Sequence, residues 1–234
     1  MITKHTIRVR NMLTSAFPWF WEFLDRARFG IVFLARFRRD GFFAPFPYRL
    51  KRAIIHHVMD RLKLEVLIET GTYLGDTPWY FRHILNEIHT IEVSPMLADE
   101  AKRRFRGWSN VTIYEGDSGV VLPSVVSSIS RPVLFWLDGH YDHGITGKGA
   151  LDCPIYKELE AIFETSATHW VILIDDARDF GRAQDYPRLE SIRDFIASRV
   201  PKFSMWVEND IVWIIPESGF DSLSGRAGGL CKRL

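Results

Sequence analysis

Short apolar runs alternate with helix-like patterns of apolar and polar positions from Leu64 onward. The runs that predict strands are Val66–Ile68, Ile88–Ile91, Val111–Tyr114, Val133–Leu137 and Val171–Ile174. The segments between them that predict helices are Pro78–Leu85, Pro95–Phe105, Val120–Ser128, Pro154–Phe163 and Leu189–Ala197. Strands that are apolar on consecutive residues are typical of a sheet covered on both faces. The alternation predicts a parallel sheet joined by right-handed crossovers.

The last two strand-like runs break this alternation. Phe203–Val207 and Ile211–Ile215 are separated only by the tight polar turn Glu208-Asn209-Asp210. Two strands joined in this way form a hairpin, so we expect the sheet to finish on an antiparallel edge. The predicted fold is a doubly wound, Rossmann-like α/β sheet of seven strands, mostly parallel, with a C-terminal antiparallel hairpin.

The first 60 residues do not follow the alternation. Apolar residues at positions 20, 23, 24, 27, 31, 34 and 35 fall on one helical stripe. Such a helix could pack on the domain or on a second subunit, cover a substrate as a lid, or lie on a membrane surface through residues 12–39. Its two apolar sides favour a homodimer.

We divide the chain into three parts on this basis. Residues 1–60 are a basic and aromatic helical extension, residues 61–217 are the main domain, and residues 218–234 are a C-terminal tail.

Composition restricts the class of protein and its partners. The 234 residues are 47% hydrophobic and 25% charged, with a net charge of +1, so nothing indicates nucleic-acid binding. Residues 1–52 are nevertheless basic, with 11 Lys and Arg against three Asp and Glu. No stretch reaches the ~18 apolar residues of a membrane span. Cys153 and Cys231 have neither metal-site nor disulfide spacing, so we expect a reduced, cytoplasmic protein.

Carboxylates follow each of the five parallel strands. In an open α/β sheet, ligands bind beyond the carboxyl ends of the strands. A single acidic residue there is explained as a helix cap. Like charges from five strands would repel one another at one edge unless ligands compensate them, so we predict a binding site. The residues are Glu69, Glu92, Asp117, Asp138, Asp175 and Asp176.

The turn after the first strand indicates the kind of ligand. A dinucleotide site has the spacing G-x-G-x-x-G, whereas Glu69–Gly75 has the spacing Glu-x-Gly-x-x-x-Gly. Glu69 would lie where a pyrophosphate binds and would repel it, but a carboxylate attracts an ammonium group. The turn therefore favours S-adenosylmethionine, which has a cationic amino-acid end and no phosphate.

Residues 64–215 resemble a class I S-adenosylmethionine-dependent methyltransferase, and more narrowly the small-molecule methyltransferases. Four blocks carry this resemblance in order, together with the terminal hairpin. They are E-T-G-T-Y-L-G-D-T at Glu69–Thr77, G-D-S at Gly116–Ser118, F-W-L-D-G-H-Y at Phe135–Tyr141 and L-I-D-D-A-R at Leu173–Arg178. Residues 1–55 lie outside the resemblance.

The resemblance implies a role for each block. Glu92 would accept both ribose hydroxyls, and Asp117 would accept a hydrogen bond from the adenine amino group, with Ser118 beside it. Asp138 would lie under the reacting methyl group and meet the cofactor amine, a metal or the substrate. The first block would hold the methionine end of the cofactor. Its residues are Glu69, Gly71, Thr72, Tyr73 and Gly75, with Asp76 and Thr77 in the same turn.

Methyl transfer from a sulfonium requires in-line placement and a deprotonated nucleophile. Two devices for deprotonation are open. In the first, Asp138, Asp175 and Asp176 bind Mg²⁺, which lowers the pKa of a substrate hydroxyl, as in some sugar and catechol O-methyltransferases with this fold. In the second, His140 is the general base, with Tyr141 beside it. The glycine-rich loop His140–Cys153 is expected to cover the substrate.

The prediction is a methyltransferase that acts on a small molecule, with a hydroxyl as the favoured acceptor. A sugar hydroxyl, a phenol, a carboxylate and an amine all stay compatible with the sequence. One alternative is another Rossmann-like enzyme, NAD-dependent or resembling a metal-dependent hydroxylase. The other is a non-catalytic protein that keeps the cofactor fold and binds a membrane or a partner through its basic front.

Overall fold

The computed structural model describes residues 47–139, 153–183 and 185–217. The elements alternate along the chain as follows: α1 Tyr48–Leu62, β1 Val66–Thr70, α2 Asp76–Phe81, β2 Glu87–Glu92, α3 Pro95–Arg104, β3 Val111–Glu115, α4 Ser118–Val126, β4 Val133–Leu137, α5 Ile155–Phe163, β5 Trp170–Ile174, the 3₁₀ turn Ala177–Asp179, α6 Leu189–Ala197, β6 Phe203–Glu208 and β7 Ile211–Pro216.

The strands form one seven-stranded sheet in the order β3-β2-β1-β4-β5-β7-β6. The first five strands pair in parallel, and β7 runs antiparallel between β5 and β6. This arrangement confirms the predicted fold class. The strand order reverses between β1 and β4, and the crevice at the carboxyl ends of these strands is where open α/β sheets bind ligands.

The C-terminal hairpin turns on two residues. Asn209 and Asp210 both have positive φ, 55° and 62°, and this backbone matches the right-handed twist of the strands that it joins. Trp206 and Trp213 occupy paired positions across the hairpin, and their rings stack with centroids 5.3 Å apart. Glu208, which we predicted in the turn, is the last residue of β6.

Two apolar layers cover the sheet. Val66 and Ile68 of β1 face one layer and Leu67 faces the other, so all three residues are buried. The first layer includes Leu122, Leu159 and Ile192 from α4, α5 and α6. Strands buried on both faces explain the consecutive apolar residues in the sequence.

Helix α1 covers the other face of the sheet, although it is not among the predicted helices. Its buried residues Ile55, Val58, Met59 and Leu62 belong to one apolar cluster with Trp136 and Trp213. Residues 48–60, assigned from sequence to the N-terminal extension, thus pack on the sheet. The three-part division of the chain stays a prediction.

Other sequence predictions fall outside the described residues. They concern the amphipathic segment 12–39, most of the loop after β4 and the tail from residue 218. The homodimer and the membrane contact stay predictions. Within the described ranges, no helix combines the length and apolar character that crossing a bilayer requires.

The packing of α1 can be tested at Ile55, which is fully buried. Ile55→Ala should lower the free energy of unfolding by about 2–5 kcal/mol, because it leaves a cavity between α1 and the sheet. Ile84→Ala is the matched control at a residue that is 45% exposed, and it should change the value by less than about 0.5 kcal/mol. Urea unfolding followed by tryptophan fluorescence measures both. Equal stability of the Ile55 variant and the wild type would contradict the packing.

Candidate active site

The ladder between β1, β4 and β5 extends one residue beyond the strands. The N–H of Asp138 donates to the carbonyl of Thr70 at 3.1 Å, and the N–H of Asp175 donates to the carbonyl of Leu137 at 2.9 Å. Asp138 therefore lies between the end of β1 and the start of the segment that follows β5. This places both aspartates at the reversal of strand order.

The glycine turn after β1 leaves no room for a side chain at Gly71. Gly71 has φ +86°, and a Cβ built on it would lie 2.2 Å from the carbonyl oxygen of Asp138. The N–H groups of Gly71 and Thr72 both donate to the carbonyl of Ile91. Gly75, with φ +74°, begins α2 against the ring of Phe105. The turn is thus bound closely to the ends of β2 and β4.

Glu92 holds this turn from the end of β2. Its Oε2 accepts the N–H of Tyr73 at 2.7 Å, and its Oε1 accepts the N–H of Ser94 at 2.9 Å. The side chain is buried, which raises its pKa, and hydrogen bonds from the backbone of Ser94, Tyr73 and Val93 oppose that rise. Each carboxylate oxygen has a second lone pair. Glu92 can therefore hold the turn and still accept two hydroxyls, as a ribose diol requires.

Glu69 is a buried carboxyl beside the same turn. Burial raises its pKa to about 8, the hydroxyls of Thr90 and Thr77 oppose this, and the Glu92 and Asp76 carboxylates add to it. Thr90 donates to Glu69 Oε2 at 2.7 Å. A carboxyl with a pKa raised in this way would be stabilised in its ionised form by a positive ligand, so an ammonium group suits it.

Asp76 and Thr77, both predicted to bind the cofactor, have partners in the protein. Asp76 accepts from the buried Arg104 at 3.0 Å, and Arg104 also donates to the carbonyl of Leu74. The hydroxyl of Thr77 contacts the hydroxyl of Tyr48 on α1. These contacts fix the turn and the environment of Glu69. A direct cofactor contact of either side chain stays a prediction.

Asp117 has the capping role that we considered for any single acid at this edge. Its Oδ1 accepts the N–H of Gly119 at 2.9 Å, so it begins α4 two residues earlier than predicted. Ser118 is buried as the first residue of α4. A carboxylate has about four acceptor positions, so the cap and a hydrogen bond from adenine are compatible.

Two cations contact the acids after β5, one from α1 and one from the same segment as the acids. Lys51 of α1 binds Asp175 Oδ1 and lies 3.5 Å from Asp176 Oδ1. Arg178 binds Asp176 at 2.7 Å and also contacts Asp210 from the hairpin turn. Burial lowers the pKa of Lys51, but Asp175 and Asp176 raise it by more, so the ammonium form is favoured.

These contacts do not fit the predicted magnesium site. Among the described residues, the three carboxylates within 4.8 Å of one another are those of Asp175, Asp176 and Asp210, and Asp138 is not one of them. Lys51 and Arg178 already bind oxygens of this group. Mg²⁺ requires carboxylate oxygens that face it without a competing cation.

Asp138 lies among these charges. Burial and the carboxylates of Asp175 and Asp176 raise its pKa well above the ordinary value, and Lys51 lowers it in part. His140 and Tyr141, the two other predicted catalytic residues, lie outside the described residues. Their roles stay predictions.

Two residues of this region were not predicted from the sequence. Lys51 could have been found, because it lies on the same helical stripe as Ile55, Val58 and Leu62, where a charge signals a buried partner. Glu158 of α5 is completely buried. The hydroxyls of Ser118 and Thr70 lie beside its carboxyl and partly offset the rise in pKa that burial causes.

Several solved methyltransferase structures resemble this chain in fold. An O-methyltransferase from Streptomyces achromogenes, involved in tomaymycin synthesis and bound to S-adenosylmethionine, has a TM-score of 0.53 at 15% identity, covering 77% of this chain and 86% of that chain. An O-methyltransferase from Bacillus cereus, bound to S-adenosylhomocysteine, has a TM-score of 0.53 at 17% identity, covering 74% and 83%. A Podospora anserina methyltransferase bound to S-adenosylhomocysteine has a TM-score of 0.52 at 17% identity, covering 74% and 80%.

A scan against protein-family models and a search of curated protein sequences give no match. At these identities, the structural likeness shows that the chain has the fold of class I methyltransferases.

The buried carboxyl of Glu158 predicts a pH-dependent loss of stability. Burial raises its pKa from 4.5 to about 7, so between these values the folded chain binds more protons than the unfolded chain, and stability falls as pH rises. Glu158→Gln removes this titration. As pH rises from 5 to 8, its free energy of unfolding should therefore increase by about 2–3 kcal/mol relative to that of the wild type.

Urea unfolding at both pH values measures the difference between the variant and the wild type. Glu160→Gln, on the same helix with a side chain that is 57% exposed, should follow the wild type at both. Parallel pH curves for Glu158→Gln and the wild type would contradict the burial of an ionisable group.

Proposed function

We propose that this chain is an S-adenosylmethionine-dependent methyltransferase that acts on a small molecule, with a hydroxyl as the favoured acceptor. One observation carries the proposal: Glu69 and Glu92 are buried on either side of a turn that leaves no room for a side chain at Gly71. One carboxyl suits an ammonium group, and the other suits a ribose diol. The likeness to O-methyltransferases supports the same conclusion.

The cofactor fits the residues at this edge of the sheet. Glu69 would hold its ammonium group, Glu92 its ribose, and Asp117 with Ser118 its adenine. The backbone of the turn, at Gly71, Thr72, Tyr73 and Gly75, would lie along its methionine end. When bound, the cofactor supplies a methyl group on a sulfonium.

A dinucleotide fits the same turn poorly. A pyrophosphate needs free backbone N–H groups and a positive helix end. Here the N–H groups of Gly71 and Thr72 donate to Ile91, and that of Tyr73 donates to Glu92. Glu69 would add a negative charge beside the phosphates. We therefore favour the methyl donor over NAD.

The residues after β4 orient and deprotonate the acceptor in this proposal. Asp138 lies at the strand-order reversal, near Asp175 and Asp176, where it can accept a hydrogen bond from the acceptor hydroxyl or from an amine. His140 would take the proton from the hydroxyl as general base, with Tyr141 helping to orient the acceptor. The rest of the loop up to Cys153 would exclude water from the reacting groups.

Cofactor binding by the full chain tests the proposal. Titration calorimetry should show saturable binding of S-adenosylmethionine and of S-adenosylhomocysteine, and none of NAD. Glu92→Ala should weaken both about 10–100-fold, because the ribose hydroxyls lose a charged, buried acceptor. Glu115→Ala is the matched control, since Glu115 pairs in register with Glu92 but is exposed. Binding of NAD without S-adenosylmethionine would reject the proposal.

The raised pKa of Glu69 leads us to expect that cofactor binding releases a proton. With a pKa of about 8, Glu69 is mostly protonated at pH 7 in the free protein, and a cofactor ammonium would stabilise the ionised carboxylate and lower that pKa. Binding at pH 7 should therefore release up to about one proton per site. Calorimetry in two buffers with different ionisation enthalpies measures this number.

Glu69→Gln should bind the cofactor more weakly and release no proton at this site. Glu65→Gln changes an exposed carboxyl just before β1 and should release as many protons as the wild type. Proton uptake by the wild type, or equal release by the wild type and Glu69→Gln, would exclude Glu69 as the ammonium site.

A further inference from the structure

Among the lysines that the structure describes, Lys51 is the one that is buried. An ammonium group taken out of water needs compensation by charge and hydrogen bonds, or its burial is strongly unfavourable. Lys51 finds this compensation at Asp175, which is 3% exposed. The two residues are 124 positions apart in the chain. The fold thus brings a positive charge to the end of β5.

The ammonium group of Lys51 contacts the carboxylate oxygens that a divalent cation would bind. Lys51 Nζ contacts Oδ1 of Asp175 and is 3.5 Å from Oδ1 of Asp176. These two carboxylates and that of Asp210 lie within 4.8 Å of one another. A hard cation binds by gathering carboxylate oxygens at such distances. Lys51 and a bound ion would therefore exclude each other.

Three contacts of α1 hold Lys51 in this position. Tyr48 contacts the hydroxyl of Thr77, and Arg52 donates to the carbonyl of Asp76 at 3.3 Å. Ile55, one turn further along, is fixed in the apolar layer. The ammonium is therefore placed by a packed helix rather than by a loop, so little reorganisation is needed when a ligand binds.

We propose that Lys51 takes the place of a divalent cation at this edge of the sheet, so that Asp175 and Asp176 bind no Mg²⁺ and methyl transfer requires none. The inference rests on the proposed function for its chemistry. An ammonium carries one charge and has three N–H donors. Two of these N–H groups donate to Asp175 and Asp176. The third donates to the oxygen of the methyl-accepting substrate. This hydrogen bond orients the substrate oxygen and offsets the negative charge that develops on it.

Manganese binding tests this inference without the cofactor. The electron paramagnetic resonance signal of free Mn²⁺ measures how much of the ion binds to the full chain. The wild type should bind no Mn²⁺ that depends on Asp175. Lys51→Ala should bind one ion at least 10-fold more tightly than the wild type, because it frees Asp175 from its cation and leaves only Arg178 at Asp176 and Asp210. Adding Asp175→Asn to Lys51→Ala should abolish that binding.

The matched control is Lys63→Ala. Lys63 is an exposed lysine that pairs with Asp60 at 3.1 Å, so its removal frees a carboxylate of the same kind on the surface. Its Mn²⁺ affinity should equal that of the wild type. If Lys51→Ala does not fold, Lys51→Met keeps the apolar stem of the side chain and removes only the charge, and the same gain in affinity is expected.

Two results would overturn the inference. The first is an ion bound to the wild type and lost in Asp175→Asn, since Lys51 would then share its site with a metal. The second is a folded Lys51→Ala or Lys51→Met variant that binds Mn²⁺ no more tightly than the wild type. Either result can occur in a chain that binds S-adenosylmethionine normally, so this test and the test of the proposed function fail separately.

Once an acceptor is known, turnover gives a second readout. A chelator should leave the methyl transfer rate of the wild type unchanged, and Mg²⁺ should restore part of the rate lost in Lys51→Ala. A purely structural role of Lys51 would give no such rescue. A wild-type rate abolished by the chelator and restored by Mg²⁺ would also overturn the inference.

Discussion

The convergence of carboxylates at one edge of the sheet is the constraint on which the rest of this structure depends. Parallel strands deliver acids from β1, β2, β4 and β5 to the same crevice, where burial and mutual repulsion oppose their ionisation. Lys51, Arg104 and Arg178 each compensate part of this charge. Glu69 and Asp138 keep raised pKa values, so a cationic ligand would stabilise their ionised forms.

Helix α1 connects this charge balance to the hydrophobic core. One stripe of the helix carries Ile55, Val58 and Met59 into the apolar layer, and its first turn carries Tyr48 and Lys51 to the crevice. A buried ion pair is weak evidence for stability, because desolvation offsets its attraction. Apolar packing therefore accounts for the position of the helix, and the ion pair accounts for the geometry of the site.

The glycine turn and Glu92 form the second support of the site. Glu92 accepts backbone N–H groups from both sides, so a single carboxylate fixes the turn after β1 and keeps lone pairs for a ligand. The close approach of Gly71 to Asp138 joins the proposed cofactor end of the crevice to the proposed acceptor end. A preorganised site of this kind needs little rearrangement before the proposed methyl transfer.

The sequence alone determined the strands, the hairpin, the glycine turn and the acids at the strand ends, because periodicity, turn residues and spacing are local properties. It also favoured S-adenosylmethionine as the ligand, through Glu69 and the glycines Gly71 and Gly75, and this stays a prediction. Only the tertiary structure decided which cations meet these acids. Lys51 reaches Asp175 across 124 residues, and Arg178 reaches Asp210 across 32. Local patterns do not encode such pairs, since they arise only when a helix and strands far apart in the chain pack together.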